Sequence, residues 1–110
     1  MSVTVSELAA REKLEIVNMP AGYRKITGAY TGDLLSYVMS RVQNGDAWVT
    51  IMSNINVVAV ATLADIACVI AAEDSDLTED ALKSALERRV NILKSSKTSY
   101  ELCVMLSKYL

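Results

Sequence analysis

The chain has 110 residues, 52% of them hydrophobic and 22% charged, with a net charge of −2 and no histidine. That length suits one domain with one core, and the near-neutral balance excludes the gathered cations that nucleic-acid binding needs. An apolar fraction slightly above that of ordinary soluble domains fits either burial against another copy or partner, or a rather apolar monomer core.

In chain order, Thr4 and Glu7 have the spacing of a capping box, and Leu8 and Ala9 with Arg11, Glu12 and Lys13 complete an N-terminal helix within residues 1–13. Leu14 to Val17 is predicted to be a strand, and Asn18, Pro20 and Gly22 a loop. Lys25 to Tyr30 forms one short strand, which Thr31-Gly32-Asp33 breaks to start a helix. Leu34, Leu35, Val38, Met39 and Val42 lie at helical spacing on one face. Asn44-Gly45-Asp46 ends that helix, and Ala47 to Met52 is a buried strand containing Trp48.

Ile55 to Ala72 is an apolar stretch of 18 residues, but Asn56, Thr62 and Asp65 interrupt it. A membrane span would carry that aspartate at high cost, so the stretch is predicted to be two buried elements. β-Branched Val57, Val58 and Val60 favour strand, yet a parallel return from the preceding strand needs a crossover of about a dozen residues. The topology wins: a helix capped by Asn56 runs to Asp65, and Ala67 to Ala72 is the next strand. Glu73 to Asp76 is an acidic loop. Thr78 caps a helix with Leu82, Ala85 and Leu86 on its inner face, Val90 to Leu93 is a strand, and Lys94 to Lys97 is a loop. Thr98 and Glu101 open a last helix through Leu102, Met105, Leu106 and Tyr109. This alternation implies an α/β fold of three layers, α/β/α, with a mainly parallel sheet.

Without histidine there is no Ser-His-Asp or Cys-His arrangement and no HExxH metal site. No GxxxxGK[ST] phosphate loop is present, and Gly28 to Gly32 has the wrong spacing for a dinucleotide fingerprint. The acidic loop lacks the alternating ligands of a calcium loop. Cys68 and Cys103 are expected to be reduced thiols of a cytoplasmic protein without secretory signal or membrane span. No catalytic residue, metal or cofactor is assigned. An enzyme built on Asp33, Asp46 or Thr27 is disfavoured, because isolated carboxylates have little means of tuning their pKa values.

Small polar loops remain. Thr27, Gly28, Thr31, Gly32 and Asp33 precede one helix; Ser53, Asn54 and Asn56 precede another. In open parallel sheets ligands bind beyond the carboxyl ends of strands, where helix-start amides can hold an anion. Asp33 would resist a phosphate unless it met a ribose hydroxyl. The alternative is that Thr31 or Asp33 simply caps its helix.

Four segments together resemble the DRTGG-domain family. Ile26 to Met39 is similar to its TGGxxGDLLS-type core, Gly45 to Ile51 to its GDxWIT segment, Asn56 to Ala61 to its NIVAVA segment, and Thr98 to Leu102 to its T-x-[FY]-E-L pattern. The resemblance covers about residues 14–106. Ala29 replaces the second glycine of the family's Thr-Gly-Gly, and Tyr23 stands beside Arg24 where the family has an aspartate.

The resemblance implies a fold like the amino-terminal domain of HPr kinase, without the kinase domain. DRTGG domains also accompany CBS domains in regulated pyrophosphatases and occur in long phosphotransacetylases, where they regulate and help form dimers. Single-domain versions occur in anaerobic bacteria and archaea, some near iron-only hydrogenase and electron-transfer genes. The expectation is a non-catalytic regulatory module, homodimeric, with an adenine nucleotide or similar small molecule as ligand. The alternative is a scaffold or accessory protein that binds a redox enzyme or other protein partner without a small ligand. Neither nucleic acid nor membrane is expected as a partner.

Overall fold

A computed structural model describes residues 3–110. The sheet forms around its two middle strands. β5 (Asp46–Thr50) and β6 (Cys68–Ala71) are buried at every position, and they pair in parallel from Ala47↔Cys68 to Thr50↔Ala71. Such strands must be covered on both faces, which is why their sequences are continuous apolar runs rather than alternating ones. Among the described residues, five strands make the main sheet in the order β2-β7-β6-β5-β4. β4 is Gly28–Thr31 and β7 is Ile92–Lys94, both parallel to their neighbours; β2 (Glu15–Asn18) closes the other edge antiparallel to β7.

Three crossover helices lie on one face: α2 (Leu35–Arg41), α3 (Asn56–Ala64) and α4 (Glu79–Glu87). Val38, Val57, Val58, Ala61, Ala81 and Ala85 from these helices pack on Trp48, Val69 and Ile92. The opposite face carries α1 (Val5–Glu12) and α5 (Ser99–Ser107), whose Val5, Leu8, Leu102, Met105 and Leu106 cover Ala47, Val49, Cys68, Ile70 and Leu93. The layers are therefore α/β/α with a mainly parallel sheet. Both predicted capping boxes form: the Glu7 and Glu101 amides donate to Thr4 and Thr98 Oγ1 (3.2 Å each), and each glutamate accepts its threonine's amide in return.

The segment predicted as one strand from Lys25 to Tyr30 is two. β3 (Lys25–Ile26) turns away to pair antiparallel with β1 (Val3–Thr4), and only Gly28–Thr31 joins the main sheet. The cause lies in α1, whose first-turn amides need acceptors: Val5 and Ser6 donate to Arg24 O and Gly22 O at 2.9 Å, drawing residues 22–26 to it. Two helix faces also differ from prediction. On α2 only Val38 and the following Val42 are buried, while Leu34 and Met39 are exposed; this short helix lies at the rim of its layer with a neighbour on one side only. On α4 the inner residues are Ala81 and Ala85, whereas Leu86 is 66% exposed: two alanines allow close approach, and the leucine lies outside that stripe. Asn56 is the first helical residue rather than the cap; its amide donates to Asn54 Oδ1 at 2.9 Å. Thr78 sits at the predicted cap position, but its hydroxyl turns to Asp80 instead of a backbone amide.

One buried side chain joins the loop to the sheet. Asn91 accepts from Ala21 N (3.0 Å) and donates to Ala21 O (2.8 Å) and Ala67 O (2.9 Å). Replacing it leaves the Ala21 amide without its acceptor and removes a donor from the Ala21 and Ala67 carbonyls. Asn91→Ala is expected to cost about 2–4 kcal/mol, read as a lower urea midpoint with an unchanged slope.

Candidate ligand surface at the carboxyl edge of the sheet

The predicted site residues divide between opposite ends of the sheet. Thr31, Gly32 and Asp33 leave the carboxyl end of β4, and Ser53, Asn54 and Asn56 follow β5 at that same end. Thr27 and Gly28 lie at the amino end instead, roughly 13 Å away along a strand rising about 3.3 Å per residue. Thr27 falls in the break between β3 and β4, and Gly28 is the first residue of β4.

Asp33 organises the carboxyl end. Its Oδ1 accepts the Thr50 hydroxyl at 2.8 Å and the Ile51 amide at 2.9 Å, tying the exit of β4 to the exit of β5. The Trp48 indole donates to Gly32 O at 3.0 Å, and Thr31 Oγ1 donates to Val49 O at 3.1 Å. Neither Thr31 nor Asp33 caps α2, whose N-cap is Leu34 with no side-chain bond. Next to this clamp, Ser53 O accepts the Thr78 amide at 3.0 Å, and Asn54 folds the entrance of α3. The α3 start offers little to an anion, because the Asn56, Val57 and Val58 amides already donate to Asn54 Oδ1, Asn54 O and Ile55 O.

Thr31, Asp33, Asn54 and Asn56 are exposed, and Gly32 and Ser53 half-buried, so they form an open shelf. The topology explains its shape. A crevice opens where neighbouring strands send their loops to opposite faces, and β4, β5 and β6 all send theirs to the same face. Only β6 and β7 diverge, toward α4 and α5, and there the Glu73 and Asp74 amides donate to Lys97 O and Ser95 O (both 2.9 Å), zipping the gap shut. With Asp33 and Asn54 at its centre, the shelf is rich in acceptors. It suits hydroxyl or amino groups, as on a ribose or a base, better than bare phosphate.

The amino end holds a different arrangement. Asp46 is 5% exposed; its Oδ2 accepts the Gln43 amide at 2.7 Å, and its Oδ1 lies 2.6 Å from where a Cβ on Gly28 would stand. Glycine at 28 is thus a packing requirement. Gly45, at φ +83°, faces Thr27 Oγ1 at 2.2 Å from a would-be Cβ, so that position also demands glycine. Arg24 Nη1 and Nη2 grip Asp65 Oδ1 (2.9 Å) and Asp65 O (3.0 Å), fixing the left-handed residue that ends α3. Tyr23 beside it points into solvent, 73% exposed. Nothing in the spacing of the chain marked the Arg24–Asp65 or Asp46–Gly28 contacts, which join residues far apart in sequence.

Both cysteines are free thiols, and burial pushes the Cys68 thiol up to about 12. Among the described residues, no group of three or more His, Cys, Asp or Glu is placed to hold a metal ion, and no helix is long and apolar enough to cross a membrane. Two clefts are largely apolar. One of about 300 Å³ lies between α2 and α3, lined by Met39, Val42, Val60, Leu63 and Ala64. Another of about 390 Å³ lies between β4 and α5.

No family model matches the chain, and no curated protein does. A solved structure does: the CBS and DRTGG domains of the regulatory region of Clostridium perfringens pyrophosphatase, complexed with its activator, diadenosine tetraphosphate. The TM-score is 0.78 at 9% identity, over 97% of this chain and 47% of that one. The likeness is one of fold. The chain spans about half the length of this relative, whose matched region is regulatory rather than catalytic.

Burial raises the Asp46 carboxyl above its usual value, and the Gln43 amide only partly opposes this. The folded state therefore holds this proton more tightly than the unfolded one. The resulting stability is present below the unfolded pKa and lost as pH rises through the folded pKa. Asp46→Asn is expected to gain stability over wild type as pH is raised from 3 to 7, measured by urea unfolding at each pH.

Proposed function

We propose that the chain is a DRTGG-like regulatory module, a single domain over residues 1–110, which binds an adenine nucleotide or related molecule and acts as a cytoplasmic homodimer without catalysis of its own. The observation that carries this reading is the likeness of nearly the whole chain to a regulatory region solved with a dinucleotide activator. The four ordered motifs at Ile26–Met39, Gly45–Ile51, Asn56–Ala61 and Thr98–Leu102 support the DRTGG assignment within that relative. The ligand surface proposed is the shelf of Thr31, Gly32, Asp33, Ser53, Asn54 and Asn56, where acceptors are gathered and exposed. Thr27 and Gly28 leave this set: Gly45 packs on one and Asp46 on the other.

The test is calorimetry and thermal unfolding with diadenosine tetraphosphate, ATP and AMP. A true ligand at a hundredfold excess over its dissociation constant stabilises the fold by about 2.7 kcal/mol. Asn54→Ala, at an exposed position, is expected to weaken binding at least about tenfold, or about 1.4 kcal/mol. No heat and no shift with any of the three nucleotides would refute the ligand.

A second reading, a scaffold or accessory partner of a redox enzyme or other protein, is favoured by the apolar cleft between α2 and α3, where Leu63 is 80% exposed and Met39 57%. It calls for a stoichiometric partner in a pull-down from the native host that is lost in Leu63→Lys.

A further inference from the structure

The two edges of the sheet are finished differently. β2 carries the charged Glu15, and its register with β7 shifts between Ile16 and Asn18, a bulge that blunts the edge. β4, Gly-Ala-Tyr-Thr, has no charge, proline or bulge, and among the described residues it is paired on one side only, in unbroken register from Gly28↔Asp46 to Thr31↔Val49. The Gly32 amide donates to Val49 O at 3.3 Å, so Gly32 faces β5. Because successive strand residues send their backbone groups to alternate sides, Gly28 and Tyr30 face β5 as well. Ala29 and Thr31, both exposed, direct their N–H and C=O groups outward.

We propose that β4 is the dimer face, pairing antiparallel with β4 of a second copy about a two-fold axis at Tyr30. This names the partner surface of the homodimer proposed above and rests on that reading. The strand is self-complementary in this register. Ala29 of one copy opposes Thr31 of the other, each pair exchanging both backbone bonds, so the outward groups of both copies are used.

The flanks fit a second copy of the same surface. The α5-side cleft is lined by Ala29, Thr31, Cys103, Leu106, Ser107 and Leu110 among others, with no charged side chain. A two-fold axis brings each surface close to its own copy, so an uncharged rim avoids like-charge repulsion. Four residues of strand cannot alone supply the ~800 Å² per partner of a standard interface. Leu110, 54% exposed beside β4 on one face, and Leu34, 60% exposed after β4 on the other, add the apolar area.

The test uses the full chain. Light scattering of wild type is expected to give twice 12.0 kDa, and Ala29→Pro to give 12.0 kDa with an unchanged circular dichroism spectrum. Proline at 29 removes only an outward amide and spares the bonds to β5. A folded Ala29→Pro protein that stays dimeric would overturn the face while leaving the dimer intact. A wild type that is monomeric at every concentration would overturn both. Should Ala29→Pro fail to fold, Leu110→Lys and amide exchange decide. The Leu110→Lys dimer is expected to dissociate at least about tenfold more readily, and the wild-type Ala29 and Thr31 amides to exchange at least about tenfold more slowly at dimeric than at monomeric concentration. Unchanged affinity together with concentration-independent exchange would exclude this edge.

Discussion

The parallel pairing of β5 with β6 is the contact around which the rest of the molecule is arranged. Both strands are buried throughout, so neither face can meet water, and each must be joined to its neighbours by a crossover helix. Three consecutive crossovers set α2, α3 and α4 on one face, leaving the other to α1 and α5 from the two ends of the chain. Those two helices are the ones with complete capping boxes. In each, the box fixes the start of the helix locally.

The same arrangement shapes the surfaces. A sheet whose strands β4 to β7 run in chain order has no reversal among its first three crossovers, and so its carboxyl edge is a shelf rather than a crevice. Asp33 holds that shelf in shape by joining the exits of β4 and β5. The monotonic order also ends the sheet at β4, an edge strand with outward backbone groups and an uncharged flank. One topological constraint thus produces both an acceptor-rich polar surface and an open apolar one, on adjoining parts of the molecule.

Much of this was legible in the sequence. The capping boxes at Thr4 and Thr98, the helix from Asn56 and the strand at Cys68 follow from spacing and from crossover length, and the α/β class follows from their alternation. What was hidden depends on contacts between distant residues. The split at Thr27 is set by α1 drawing Lys25 and Ile26 to β1. Exposure of Leu34 and Leu86 is set by where their helices sit in the layer, which periodicity within a helix does not encode. Asp33 read as either cap or ligand group, because its partners, Thr50 and Ile51, lie in another strand's exit loop. Gly28 reads as a ligand-loop residue and Gly45 as part of a helix stop, yet Asp46 and Thr27 fill the space beside them.

The central claim is that the carboxyl-edge shelf, and not one of the apolar clefts, receives the small ligand. Amide chemical shifts recorded during a titration with diadenosine tetraphosphate test it most directly. The expected result is saturable change concentrated at Thr31, Gly32, Asp33, Ile51, Ser53, Asn54 and Asn56. Saturable change centred on Met39, Val60 and Leu63, with the shelf unmoved, would contradict it.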